Sequence, residues 1–176
     1  IQTDAALNMG NSGGALVNAG GLLVGITSMI VSPNGTYSGN SFAIPINVVK
    51  KVVADLKQFG TVQRAIIGVN IKDVTSDLID EKNLKLDQVK GIYIDGIVSG
   101  GSAEDAGLKE KDVIVKFNGI SVGSMAELQE QVGRYRPGDK ADLTYIRNGN
   151  ENTVPVILKN VDNTTRVVAL GEGAGI

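Results

Sequence analysis

The sequence predicts a mostly β fold with a few helices, organised in two parts. Short runs of β-branched and aliphatic residues recur along the 176 residues, and Gly, Pro and Asn-Gly pairs separate them. The pattern changes near residue 60, where a helical stretch ends and a new series of strands begins. With 42% apolar side chains, the chain is long enough for one large or two small hydrophobic cores.

Composition excludes several classes of function. The net charge is only −2, whereas binding to nucleic acid or to an anionic membrane requires a basic excess on one face. No apolar run approaches the roughly 18 to 20 residues needed to span a bilayer. Cys and His are both absent, which excludes disulfides and argues against a zinc site. We therefore expect no metal site, no cofactor and no nucleic-acid partner.

The first part begins with strands joined by tight turns. An apolar, β-branched run at 22–31 predicts a strand. It is followed by Asn34-Gly35, a pair that suits a hairpin turn because it tolerates positive φ, so residues 37–44 are the predicted partner strand. Pro45 then ends this second strand.

A helix is predicted after Pro45. Asn47 can cap its start, and Gly60 can end it in a left-handed conformation. Apolar residues recur at helical spacing at Val48, Val49, Val52, Val53 and Leu56. The opposite, solvated face is predicted to carry Lys50, Lys51, Asp55 and Lys57.

The second part has its own strand pattern. Five strand candidates follow one another, at 66–71, 91–98, 112–117, 141–146 and 152–158. Tight turns between strands are predicted at two Asn-Gly pairs, Asn118-Gly119 and Asn148-Gly149. Five or six strands and two helices indicate a small α+β barrel that forms a separate domain.

Two short helices are predicted in this second part. The stretch Ser102-Ala103-Glu104-Asp105 fits a capping box at a helix start, and Gly107 fits its left-handed stop. Ser124 caps a second helix over 125–134, in which Leu128 and Val132 share one face.

These patterns divide the chain into four segments. Residues 1–60 form the first part, 61–65 a short connector and 66–160 the α+β domain. Residues 161–176 become polar and then Gly-rich, which is typical of a linker, and we expect them to lead to a further module.

The loop "GNSGG" at residues 10–14 is the strongest candidate for chemistry. A serine hydroxyl needs a base to take its proton and donors to stabilise an oxyanion. Here Ser12 could be the nucleophile, and the N–H groups of Gly10 and Ser12 could point into one pocket. On its residues alone, the loop is equally consistent with a Gly-rich turn between strands.

The flanking sequence resembles one family throughout. "IQTDAALNMGNSGGALVNAGGLLVGI" and "FAIPINVV" are similar to the C-terminal half of the protease domain of the HtrA (Deg) family, whose members have a chymotrypsin fold. "GSAEDAGLKEKDVIVKFNG" resembles the PDZ domain that follows the protease in that family. The resemblance covers residues 1 to about 160 and implies a partial chymotrypsin-like β-barrel, the second half only, followed by a PDZ α+β barrel.

The resemblance implies roles for residues in the first part. Ser12 corresponds to the nucleophile, and Gly10 and Asn11 complete the oxyanion loop. Leu7 and Ile30 match positions that line the primary substrate pocket. Where the family often has another apolar residue near that pocket, this chain has Asn40 and Ser41.

The catalytic partners of Ser12 are expected upstream of this sequence. In the chymotrypsin fold the His and Asp of the triad precede the Ser in the chain. Since this chain contains no His, we expect that it does not cleave peptides by itself. The family resemblance implies that the parent protein is a serine endopeptidase.

A peptide groove is predicted in the second part. PDZ domains add the ligand as a strand to an exposed sheet edge and hold its C-terminal carboxylate with backbone N–H groups. The family's carboxylate loop matches Ile66, Ile67, Gly68 and Val69, and Val69 to Ile71 would supply the edge. Leu128 and Val132 would form the opposite wall. Taken singly, each of these apolar residues could equally belong to the core.

Two functional hypotheses follow. The resemblance implies a piece of a periplasmic, trimer-based protease that degrades misfolded envelope proteins and captures C-terminal or apolar peptide segments. The alternative is a non-catalytic peptide-binding PDZ protein with a degenerate protease remnant.

Overall fold

The computed structural model describes residues 1–8, 10–30, 41–86 and 88–169, and it separates into two compact units, Ile1–Gln58 and Phe59–Ile176. Within these described ranges, no helix combines the length and the hydropathy needed to cross a bilayer.

The first unit contains an antiparallel four-stranded sheet in the order β1-β4-β3-β2. Its strands are β1 (Gln2–Thr3), β2 (Ala15–Val17), β3 (Leu23–Ile30) and β4 (Ser41–Pro45). The predicted strand at 22–31 is therefore confirmed, and it pairs with β4 as predicted. The turn at Asn34-Gly35 and residues 37–40 of the predicted partner lie outside the described residues.

Helix α1 (Ile46–Phe59) follows β4 directly. It begins one residue before the predicted cap, because Pro45 with its fixed φ leads straight into the first turn, so Asn47 lies inside the helix. Gly60 ends the helix at φ +71°, as predicted.

The predicted faces of α1 are wrong at three positions. Asp55 is fully buried, and its carboxylate lies 2.7 Å from Lys51 Nζ one turn earlier. Val53 and Leu56, predicted on the apolar face, are about half exposed at 49% and 48%. Apolar residues surround much of this helix, so spacing alone left its orientation ambiguous, and the ion pair allows two charges to be buried together.

The second unit is a six-stranded sheet with three helices. The strand order is β10-β9-β7-β6-β5, with β8 paired to β7. The strands are β5 (Val69–Asp73), β6 (Ile92–Ile97), β7 (Val113–Phe117), β8 (Ile120–Ser121), β9 (Lys140–Arg147) and β10 (Asn150–Ile157). The helices are α2 (Ser76–Lys82), α3 (Ser102–Asp105) and α4 (Met125–Val132).

Both predicted Asn-Gly turns are present. Asn118 and Gly119 have φ of +48° and +76°, and Asn148 and Gly149 have +54° and +84°. Two successive positive φ values are those of a type I′ turn, the hairpin turn whose twist matches the strands it joins.

Apolar side chains cover both faces of this sheet. Along β6, Ile92 and Ile94 point into the larger cluster, which also contains Phe117 and Leu143. Tyr93 points to the other face, where a smaller cluster includes Leu78 of α2. The sheet therefore lies between a main core and a second cluster beneath α2.

Helix α2 is missing from the sequence prediction. Thr75 caps it by accepting a hydrogen bond from the Leu78 N–H at 3.2 Å, and Asn83 ends it at φ +50°. The helix has seven residues, too few to show a helical period. Thr75 followed by Asp77 was the available signal.

The capping box predicted at Ser102 is wrong. Gly101 occupies the cap position, and no side chain caps the helix. Ser102 is the first residue of α3, and its hydroxyl donates to the Ile66 carbonyl at 3.1 Å. The second predicted cap is confirmed, because Ser124 Oγ accepts from the Glu127 N–H at the start of α4.

Candidate functional site

The "GNSGG" loop lies between β1 and β2 in the chain and directly precedes β2. Gly10 and Gly13 have φ of +102° and +84°, a region that favours glycine. The Gly13 N–H donates to the Thr27 carbonyl of β3 at 2.8 Å, and the Gly14 N–H donates to the Asn11 carbonyl at 3.1 Å. These bonds hold a tight, solvent-exposed loop against the sheet.

Buried Thr27 orients the peptide group before Ser12. Its hydroxyl lies 2.5 Å from the Asn11 carbonyl oxygen and 3.2 Å from that of Gly14. The N–H of a trans peptide points opposite to its C=O, so the Ser12 N–H points away from β3. Within the described residues, the N–H groups of Gly10 and Ser12 have no acceptor, which leaves both available as donors.

The Ser12 hydroxyl has a partner that cannot act as a base. Ser12 Oγ donates to the Ser28 carbonyl at 3.0 Å, and a backbone carbonyl does not remove a hydroxyl proton. The sequence contains no His. In this arrangement the loop supplies a hydroxyl and two donors, but no imidazole.

The structure describes the predicted substrate pocket only in part. Leu7 is buried. The side chain of Ile30 and the whole of Asn40 lie outside the described residues, and a pocket formed by Leu7 and Ile30 stays a prediction. Ser41 pairs with Ile30 across β3 and β4, and its buried hydroxyl has no partner within the described residues.

The predicted carboxylate loop leads into β5, and the carbonyls of its first three residues point inward. The Ile66 carbonyl accepts from Ser102 Oγ at 3.1 Å. The Ile67 carbonyl accepts from the Ala103 N–H at 2.8 Å, and the Gly68 carbonyl accepts from the Val98 N–H at 3.0 Å. The N–H groups of the same three peptides, those of Ile67, Gly68 and Val69, therefore point to the opposite side.

These three N–H groups are free to bind a ligand. Within the described residues, neither the Ile67 nor the Gly68 N–H has an acceptor. Val69 lies opposite Ile97 of β6. Because the Val98 N–H bonds the Gly68 carbonyl, Val69 and Ile97 form a pair without mutual hydrogen bonds. The Val69 N–H therefore also faces away from β6. Converging backbone N–H groups form a nest that suits an anion.

Two glycines make this loop geometry possible. Gly68 has φ +79°, and a Cβ there would lie 3.0 Å from the Cα of Gly101. A Cβ on Gly101 would lie 2.8 Å from the Val98 carbonyl oxygen. The loop and the start of α3 thus approach more closely than side chains allow.

Strand β5 is an open edge of the sheet beside α4. The hydrogen bond from the Val74 N–H to the Gly91 carbonyl sets the register between β5 and β6. In this register the N–H and C=O groups of Ile71 also point outward, away from β6. Asp73 at the end of β5 accepts the Met125 N–H at 2.5 Å, which places the start of α4 beside it. The edge and the helix therefore lie next to each other.

The predicted groove residues share one apolar cluster. Ile67, Leu128 and Val132 are buried in the main core, and Val69 and Ile71 pack against it. Ile66 lies apart, in a bridge with Lys159. Leu128 is only 2% exposed and therefore belongs to the core. A groove at this place is a shallow surface over Leu128 and not an open cavity.

The opposite edge of the sheet is blocked. In β10, Pro155 lies opposite Asp142 of β9. The hydrogen bond from the Leu158 N–H to the Asp139 carbonyl sets the register of the two strands, and in this register Pro155 and Asp142 form a pair without mutual hydrogen bonds. A free N–H would point outward there, but proline has none, so β10 is a poor template for another strand.

Sequence reasoning missed the residues that support both loops. Thr27 and Ser102 each orient a loop from a distant part of the chain, 16 and 36 residues away. Thr27 stands out as a polar residue in an apolar run, but the run does not identify its partner, and the polar, Gly-rich stretch around Ser102 gives no comparable signal.

Comparison with known proteins agrees with both units. A family model described as "Trypsin" matches residues 1–53, and one described as "PDZ domain" matches residues 65–158. The fold and these matches define a class of protein in which a trypsin-like segment is followed by a PDZ domain.

Individual relatives narrow the class. A "Probable periplasmic serine endoprotease DegP-like" from Marinomonas sp. (strain MWYL1) is 43% identical over 169 residues, which are 96% of this chain and 36% of the relative. "Periplasmic serine endoprotease DegP" from Escherichia coli (strain K12) is 40% identical over 159 residues, 90% of this chain and 33% of the relative. The chain thus spans about a third of the length of these curated relatives.

Solved structures agree. A structure titled "HtrA-type protease AlgW with tripeptide" matches with TM-score 0.62 and 37% identity, covering 90% of this chain and 52% of that one. The chain belongs to the HtrA family of serine proteases.

Proposed function

We propose that the second unit binds the carboxyl end of peptides by strand addition at β5. The observation that carries this proposal is the set of three N–H groups, of Ile67, Gly68 and Val69, beside an open edge strand. A carboxylate bound there accepts charge-assisted hydrogen bonds, and the peptide backbone pairs with Val69 and Ile71. Related proteases whose structures are titled "with decapeptide" and "with tripeptide" support peptide binding.

The apolar residues beside the proposed groove predict which last residue a bound peptide has. Ile67, Leu128 and Val132 offer only apolar surface to the last side chain of the ligand. We infer that the preferred peptides, like exposed segments of unfolded proteins, end in an apolar residue.

The test is a binding assay with paired ligands. A panel of fluorescent decapeptides that differ in their last residue is prepared as free acids and as C-terminal amides, and fluorescence anisotropy is measured with the whole chain. We expect apolar-ended free acids to bind, and their amides to bind at least about tenfold more weakly because the charge is lost. Equal binding of acid and amide would contradict carboxylate capture.

We further propose that the parent protein is a serine endopeptidase in which Ser12 is the nucleophile and Gly10 and Asn11 complete the oxyanion loop. The free Gly10 and Ser12 N–H groups and the names of the relatives support this. Leu7 and Ile30 are the proposed walls of the primary pocket. The same relatives are named periplasmic, which supports a periplasmic location and a role in degrading misfolded envelope proteins.

A serine-reactive probe tests this assignment. A fluorophosphonate should label Ser12 in a longer chain that supplies His and Asp, and a Ser12→Ala variant of it should stay unlabelled. This chain has no His, so we expect no labelling and no peptide cleavage from it alone. Labelling of the Ser12→Ala variant at the same rate would remove Ser12 as the nucleophile.

The domain boundaries and the assembly are also proposals. We propose a protease segment at 1–60, a connector at 61–65, the PDZ domain at 66–160 and a linker from 161 onward. We also propose a trimer-based assembly of the parent protein, and light scattering of the parent protein would measure its mass.

A further inference from the structure

The hydroxyl of Ser102 has an unusual place in the second unit. The residue is 1% exposed at the start of α3, yet its hydroxyl does not cap that helix. It donates instead to the carbonyl of Ile66, at 3.1 Å and 36 residues away. A buried hydroxyl that bridges two segments holds their relative position.

The bond sets the direction of one particular N–H group. The Ile66 carbonyl and the Ile67 N–H belong to the same planar peptide and point in opposite directions. When Ser102 holds the carbonyl inward, the Ile67 N–H points outward, to the side reached by the N–H groups of Gly68 and Val69.

Ser102 is the only side chain among the donors that orient this loop in the described structure. The carbonyls of Ile67 and Gly68 are held by backbone N–H groups, which substitution does not remove. The Ile66 carbonyl also accepts the Lys159 N–H, but at 3.4 Å, a longer and weaker contact. Loss of the hydroxyl would therefore loosen one peptide group and leave the rest of the loop in place.

We propose that Ser102 is a positioning residue that aims the Ile67 N–H at the carboxylate of a bound peptide. This rests on the proposed carboxylate capture at the β5 edge. Ser102 does not touch the ligand. Its effect on binding passes through the Ile66–Ile67 peptide group and is therefore specific to the ligand group that this N–H contacts.

The expected effect separates positioning from general support of the fold. Without the hydroxyl, the Ile67 N–H is no longer held in place, and a free-acid peptide loses about three- to tenfold in affinity, the usual effect of one hydrogen bond. An amidated peptide, which makes weaker use of that N–H, loses much less. The ratio of amide to acid dissociation constants therefore falls in Ser102→Ala.

The experiment measures that ratio in four proteins with the tightest-binding peptide of the panel. They are the unaltered chain, Ser102→Ala, Ser102→Thr, which keeps the hydroxyl, and Thr75→Ala. Thr75 caps α2 on the other face of the sheet, so its loss costs stability without touching the loop. We expect a reduced ratio in Ser102→Ala only.

The possible results are distinguishable. If the unaltered chain fails to discriminate acid from amide, the carboxylate capture itself is wrong. If the unaltered chain discriminates and Ser102→Ala keeps its ratio, or Thr75→Ala lowers the ratio equally, the positioning role is wrong. Should Ser102→Ala not fold, Ser102→Cys replaces it, because its thiol is a weaker donor, and an unchanged ratio there overturns the proposal equally.

Discussion

Gln63 and Val168 are 105 residues apart and form two reciprocal hydrogen bonds. Gln63 Nε2 donates to the Val168 carbonyl at 2.7 Å, and the Val168 N–H donates to Gln63 Oε1 at 2.9 Å. Asn160 adds bonds from its side chain to Thr164 and to the carbonyl of Arg166. Val168, in the segment predicted to be a linker, is thus bonded to the connector that precedes the domain, and Thr164 and Arg166 are bonded to Asn160 at the end of the domain.

Removing the two hydrogen bonds between Gln63 and Val168, the Gln63–Val168 clasp, should loosen both the connector and the segment around Val168. Gln63 is 2% exposed, and Gln63→Ala removes both hydrogen bonds to Val168 and also the 3.2 Å bond to the Thr61 carbonyl. It should lower the free energy of unfolding by about 1 to 3 kcal/mol. Hydrogen exchange at the Val168 N–H should become faster. Gln58→Ala, at an exposed position of α1, is the control, and unchanged exchange at Val168 in Gln63→Ala would show that the clasp does not hold the segment.

A partly buried ion pair joins Asp112, the residue before β7, to Arg147, the last residue of β9. Asp112 is 1% exposed, and Arg147 binds it with two hydrogen bonds, both 2.7 Å, while also donating to the Gly107 carbonyl at 3.0 Å. Hydrogen bonding to Asp112 holds the pKa of the Arg147 guanidinium above its usual value. The pair fastens the turn after α3 to the sheet.

Breaking one side of this pair should cost more than removing both. Arg147→Met leaves the Asp112 carboxylate buried without its cation and should lower the free energy of unfolding by about 3 kcal/mol. Urea denaturation of Arg147→Met, Asp112→Asn and the double variant measures the coupling. Additive losses in the double variant would mean that the two residues do not stabilise each other.

The close approach of Gly101 to Gly68 predicts a steric effect on ligand binding. A Cβ at residue 101 would contact the Val98 carbonyl at 2.8 Å and Gly68 Cα at 3.3 Å. Gly101→Ala should therefore shift the carboxylate loop and weaken free-acid peptides by about tenfold or more. Gly20→Ala is the matched control, since its nearest contact is an ordinary 3.4 Å, and peptide affinity equal to that of the control would refute the steric argument.

Thr27 should control the order of the Ser12 loop. Thr27→Val removes the hydroxyl that contacts the Asn11 and Gly14 carbonyls. Each carbonyl keeps one backbone N–H donor, so the loss should cost only about 0.5 to 1.5 kcal/mol. Amide exchange at Gly13 and Gly14, whose N–H groups are hydrogen-bonded in the loop, should become faster, whereas Thr27→Ser should keep the native rates. Native exchange rates in Thr27→Val would mean that the backbone bonds alone hold the loop.

Local chemistry made most of the strands predictable. The pairs Asn118-Gly119 and Asn148-Gly149 specify type I′ turns by themselves, and the apolar runs beside them then pair in only one register. Gly60 similarly ends α1 because of a property of the residue itself.

Contacts between distant segments were not predictable. Asp55 follows the charged pattern of a solvated face, and only packing shows it to be buried with Lys51. Ser102 fits a local capping motif, but a carbonyl 36 residues away competes for its hydroxyl. Sequence spacing identifies which residues could act locally, whereas these choices depend on the folded chain.

In the proposed complex, the N–H groups of Ile67, Gly68 and Val69 hold a peptide carboxylate at the open edge of β5. The most direct test is a nuclear magnetic resonance titration of the whole chain with an apolar-ended free-acid peptide, following each backbone amide. We expect these three amides to shift most and the β5 amides, Ile71 included, to become protected from exchange, while β10 stays unchanged. Shifts centred on β10, or an undisturbed loop at saturating peptide, would contradict it.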